Sequence, residues 1–177
     1  MRFRTIILFI VALVSLDQVI KLIIQTYYLD TRFDIIPGLL EFLPKYNYDH
    51  SYMNNLFGGG VGFLPHLILF IFVLFLLIFM FGYLRSLFRS RVVDYLFIFG
   101  ISGVLCAIIS ISFWKGVLDY IYLVPLFVFD FKDLYMNVFT VLCMVFAVKY
   151  HGEKDMFNST KILSYAKSLF ARRRKSK

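Results

Sequence analysis

Four long apolar stretches run through the 177 residues, each close to the length that one bilayer crossing needs. In hydrocarbon every backbone N–H and C=O must find its partner within the protein, so uninterrupted apolar runs of this length select helices. The expected spans are residues 5–28, 64–84, 93–113 and 134–148. Composition agrees: 60% of the residues are hydrophobic, 20% aromatic and only 17% charged, with a mean hydropathy of +0.78. A water-soluble domain of this size has no use for so much apolar surface. The expected fold class is an all-α membrane protein of four transmembrane helices.

The charges between the spans set an orientation. Arg2 and Arg4 precede the first helix, Arg85, Arg89 and Arg91 join the second to the third, and nine basic residues against two acidic ones follow from Lys149. Such segments stay in the cytoplasm. Residues 29–62 and 114–133 are richer in carboxylates and face outward, so both termini are expected inside. The net charge of +8 then reflects topology and contact with anionic headgroups rather than nucleic-acid binding.

Arg2 and Arg4 before an apolar run resemble a signal peptide, but no small-residue cleavage site follows and the apolar pattern resumes past Asp17 and Lys21, so a retained first helix is expected. Cys106 and Cys143 fall within helices three and four and read as small apolar residues. His50, His66 and His151 are scattered without ligand spacing, so neither a metal nor a cofactor is expected. Without repeats or a linker, residues 1–150 form one domain and residues 151–177 a basic cytoplasmic tail. Within residues 29–62, Leu40, Phe42 and Tyr46 partly alternate with Glu41, Lys45 and Asn47 ahead of a Gly58 to Gly60 turn, which suggests a short sheet on the outer surface. A cradle for an extended substrate and a plain surface hairpin both fit that pattern.

Carboxylates beside hydrocarbon need a partner or a task. Asp17 and Lys21, four apart, share one helix face and can pair there. Asp119 and Asp133 flank the last outward segment, where a turn can bring them together. Two close carboxyls share a proton and supply one acid and one base, which hydrolysis by an activated water requires. A helix dipole favours Asp133 as the anion, and the apolar neighbours of Asp119 favour its protonated form. The alternative is that Asp133 merely caps a helix and Asp119 is a solvated loop residue. Trp114, Tyr120 and Tyr122 fit either a substrate groove or an aromatic belt.

The order of these features resembles the lipoprotein signal peptidase, or signal peptidase II, family. Asp17, Gln18 and Lys21 look like its Asp-Gln-x-x-Lys signature. Asn47 is similar to the Asn that opens its Asn-x-Gly-Ala-Ala-Phe segment. Gly116 to Ile121 resemble Gly-x-Val-Val-Asp-Phe-Ile, and Phe129 to Asp133 resemble Phe-Asn-x-Ala-Asp. The resemblance implies four helices with an extracytoplasmic β-cradle, and Asp119 and Asp133 as the catalytic dyad. It further implies that Asp17, Lys21, Asn47 and Asp130 bind substrate or support the site. The implied activity is aspartic endoproteolysis, which removes signal peptides from diacylglyceryl-modified prolipoproteins before the lipidated cysteine. The implied setting is the bacterial inner membrane, with prolipoprotein signal peptides and lipids as partners and the chain acting as a monomer.

This sequence departs from the family pattern at several positions. Asp49, His50, Ser51 and Tyr52 stand at the Gly-Ala-Ala-Phe positions. Cys106, Ala107, Ser110 and Ile111 stand where a Gly-Asn-x-x-Asp-Arg motif is expected, and Asp130 and Lys132 replace Asn and Ala, added charges that either alter the dyad pKa values or compensate for lost partners. A divergent enzyme with altered substrate contacts fits this pattern. So does a paralogue that binds lipoproteins or membrane partners without cutting them. A small channel or transporter subunit lined by Asp17 and Lys21 is the third class, disfavoured by the lack of broken or repeated helices.

Overall fold

The computed structural model turns the four apolar runs into helices α1 Phe3–Ile23, continued by a π-helical turn Ile24–Tyr28, α2 Phe63–Leu87, α3 Arg91–Phe113 and α4 Phe131–Lys149. A fifth helix, α5 Ser159–Lys175, follows in the basic tail. The structure describes residues 1–48, 62–114, 116–153, 156 and 158–175, with side-chain surroundings through residue 169. Asp49, His50, Ser51, Tyr52, Gly58 to Gly60 and Lys115 lie outside the described residues.

Helix α3 is the hub. It packs against α1, α2 and α4, and 61% of its most apolar window is buried, against 11–17% for the other three, whose apolar sides face lipid. Small residues let α4 approach it: a Cβ on Gly100 would lie 2.8 Å from the Phe139 ring, and one on Gly103 would lie 2.7 Å from Met136 Sδ. At the arginine-rich end, Ile6, Phe81, Tyr83, Phe97 and Phe146 form the main apolar core. Asp94 is buried there and pairs with Arg85 at 3.5 Å. Helix α5 folds back on α2, with Tyr165 against Phe79 and Tyr83.

At the opposite end, the two outer segments combine into one antiparallel sheet of order β1 (Phe33–Ile36), β2 (Leu40–Asn47), β3 (Val117–Leu123) and β4 (Phe127–Phe129). The central pairing, β2 with β3, joins segments from different interhelical links. Pro44, which has no N–H for a ladder, sits where the β2–β3 register shifts between Phe42 and Lys45. Strands β3 and β4 were not foreseen, because Val117 to Tyr120 are all buried and show no polar–apolar alternation. Leu118 and Tyr120 pack on Ile24 at the end of α1, which seats the sheet on the helix bundle.

Candidate active site

Asp119 projects from β3, a strand buried on both faces, and is only 7% exposed. Asp133 is the third residue of α4, whose start is fixed by a reciprocal capping box. Asp130 Oδ1 accepts from the Asp133 N–H at 3.1 Å, and Asp133 Oδ2 accepts from the Asp130 N–H at 3.2 Å. The β3–β4 hairpin returns the chain so that Asp119, Asp130 and Asp133 place carboxylate oxygens within 4.8 Å of one another. Asp119 is therefore a strand residue and not part of a solvated loop. Asp133 caps the helix, and its carboxyl also stands beside that of Asp119.

The cation among these three carboxylates is Lys132. Its Nζ lies 3.3 Å from Asp119 Oδ1, 3.0 Å from Asp130 Oδ1 and 3.2 Å from both oxygens of Asp133. Asp130 continues the network inward, where its Oδ2 lies 2.6 Å from Lys21 Nζ. Lys21 also donates to Asp17 Oδ2 and to Ser110 Oγ, each at 3.0 Å. Gln18 donates to Asp17 at 2.8 Å and accepts from the Trp114 indole N–H at 3.1 Å. Asp17, Lys21, Asp130 and Ser110 are fully buried. The pairing of Asp17 with Lys21 is thus one end of a charge network that reaches the sheet, and Trp114 is bonded into it.

Among the described residues, four carboxylates face two ammonium groups in this network, so the cluster favours holding protons. Burial is the main reason the Asp119 carboxyl is pushed up to about 7; the Lys132 charge opposes that rise, and the Asp130 and Asp133 carboxylates add to it. Asp130 is buried still more deeply, which works against its charge, yet the Lys132 and Lys21 ammoniums hold it below the usual carboxylate range.

A cavity of about 310 Å³ opens beside these groups. Val104 and Ala107 of α3, Phe127 and Phe129 of β4, and Met136 of α4 give it apolar walls, while Asn47, Asp119, Lys132 and Asp133 line its polar side. The side chain of Asp133 is 42% exposed, compared with 10% for Asp119 and 12% for Lys132, so the cluster meets its surroundings mainly through Asp133. An apolar groove with a few convergent polar groups suits an extended, mostly apolar ligand.

Of the residues singled out from sequence, Asp119, Asp133 and Asp130 converge, Asn47 lines the same cavity, and Asp17 and Lys21 join through the Lys21–Asp130 pair. Two participants were missed. Lys132 was read as a departure whose charge would act on the dyad or replace a lost partner, without its contact to both carboxyls, although a lysine between two aspartates at the start of a helix was the available signal. Ser110 was noted as a replacement, with no sign that it would bond to Lys21.

Residues 9–149 match the family model described as signal peptidase (SPase) II. Two solved structures, each described as a bacterial membrane enzyme determined by the in meso method, share the fold. One, at 2.3 Å resolution, superposes with a TM-score of 0.68 at 23% identity, covering 86% of this chain and 92% of its own. The other, at 1.9 Å, gives 0.71 at 22% identity, covering 83% and 94%. No curated protein matches the chain.

Proposed function

Since the chain belongs to the signal peptidase II family, we propose that it removes signal peptides from diacylglyceryl-modified prolipoproteins, using Asp119 and Asp133 as an aspartic dyad. The observation that carries this reading is the convergence of the two carboxyls, one from β3 and one from α4, at the side of an apolar groove. In the reaction, ionised Asp133 takes a proton from water as the water oxygen attacks the scissile carbonyl carbon. Protonated Asp119 gives its proton to the leaving nitrogen as the C–N bond breaks. Asn47, Asp130, Asp17 and Lys21 serve as supporting residues, and the protein acts as a monomer in a bacterial inner membrane. The experiment is incubation of purified protein with a lipidated precursor in a bilayer, with detection of the shortened product.

The acid role requires protonated Asp119, and that form is lost as pH rises through about 7. The base role requires ionised Asp133, which sets the acid limb. Cleavage should therefore follow a bell-shaped profile whose rate falls on the alkaline side. A rate that climbs steadily from about pH 6 to about pH 9 would exclude Asp119 as the acid.

The proposed orientation places the sheet and dyad outside and both termini in the cytoplasm. A reporter near Arg89 or after Lys177 should then read as cytoplasmic, and one near Asp49 or Lys115 as extracytoplasmic. Protease protection that placed the tail outside would reverse the site's location as well.

One observation favours a second reading, a paralogue that binds lipidated precursors without cutting them: Lys132 lies between the two carboxyls. On that reading the precursor is bound and released intact.

A further inference from the structure

We propose that Lys132 is a tethered cation that closes the Asp119–Asp133 site against water, so that hydrolysis requires this side chain to be displaced. The inference rests on the peptidase reading and deepens it by assigning the site's resting state. Two carboxyls that activate a water must both reach it. Lys132 Nζ lies 3.3 Å from Asp119 and 3.2 Å from both oxygens of Asp133, the place such a water would take. An ammonium is close to a water molecule in size, and its three N–H donors match the three carboxylates around it. While protonated it has no lone pair, so it neither attacks a carbonyl nor accepts a proton.

The position follows from the local sequence. Asp130 caps α4 and Asp133 returns the cap, so Lys132, held between them, starts its side chain from a fixed first turn. Asp130 secures it with a third contact at 3.0 Å and is itself held by Lys21 at 2.6 Å. The stem is nevertheless a flexible four-carbon chain. The cavity beside it gives it room to swing, and the same cavity is where an extended substrate would lie. A substrate carbonyl entering between the carboxyls competes with the ammonium for the same oxygens. The lysine thereby sets a threshold that only a tightly held substrate crosses.

The test compares wild type, Lys132→Ala and the paired variant Lys132→Ala/Asp130→Asn in lipid nanodiscs. The paired variant removes opposite charges together, so it remains informative if Lys132→Ala alone folds poorly. Three probes are used: a cleavable diacylglyceryl peptide, an analogue with a hydroxyl-bearing tetrahedral carbon in place of the scissile carbonyl, and the same analogue with a methylene there. Loss of the lysine should speed cleavage and tighten binding of the hydroxyl analogue, each by at least about tenfold, and leave the methylene analogue within about twofold. Unchanged or weaker binding of the hydroxyl analogue in both variants would overturn the proposal, as would slower cleavage by folded Lys132→Ala than by wild type. Gained affinity for the hydroxyl analogue in the variants, with no cleavage by them or by wild type, would support the closed site and defeat the peptidase reading.

Discussion

Asp119→Asn and Asp133→Asn should each reduce prolipoprotein cleavage by about 10²- to 10⁴-fold while leaving membrane insertion and folded yield nearly unchanged. Each substitution removes a proton-transfer group and keeps the shape of the side chain. Asparagine at position 133 retains an oxygen that can accept from the Asp130 N–H, so the capping box that starts α4 survives. At position 119 the change removes one of the three carboxylates around Lys132, and Asp130 and Asp133 still hold that ammonium. Because the two groups act as a unit, the double variant should be no worse than either single one. Cleavage assays in detergent or bilayer, paired with size-exclusion profiles for folded yield, check the expectation. Additive losses, or a variant that still cuts at the wild-type rate, would remove the dyad from the account.

The second large effect concerns folding. Lys21→Met should cost on the order of 3–5 kcal/mol, because it strips a fully buried ammonium from two fully buried carboxylates, Asp17 and Asp130. That is a large share of the roughly 5–15 kcal/mol that holds a typical domain folded. Most of the folded protein should be lost. Asp17→Asn should do less harm, since Lys21 keeps Asp130 and the new amide still accepts a hydrogen bond. Combining the two should recover only part of the yield, because Asp130 loses its Lys21 partner and, among the described residues, is left with Lys132. Folded fraction after mild solubilisation measures this series. Normal yield of Lys21→Met with selective loss of cleavage would move Lys21 from support into the reaction.

The helices were legible in the sequence because hydrocarbon allows little besides long apolar runs, and the positions of Asp17 and Lys21 announced a pair through their spacing alone. Strand β2 showed through its partial alternation. Strand β3 did not, since burial on both faces removes the period-two signal, and its partner lies in another interhelical link more than sixty residues away. The two dyad candidates were visible as carboxylates flanking one outer segment. What joined them to Lys21 was not. The Lys21–Asp130 contact and the meeting of Lys132 with Asp119 depend on how the β3–β4 hairpin delivers the chain to the start of α4, a tertiary result that no local pattern encodes. The Lys21–Ser110 bond likewise depends on the packing of α1 against α3.

The most direct measurement is mass spectrometry of a purified diacylglyceryl-modified prolipoprotein after incubation with the purified protein in a bilayer. Wild type should release the signal peptide slowly and leave a new N-terminus at the lipidated cysteine, and Asp119→Asn and Asp133→Asn should leave the precursor whole. A precursor that binds but stays intact with wild type, and with Lys132→Ala/Asp130→Asn as well, would contradict the account and leave a lipoprotein-binding protein in its place.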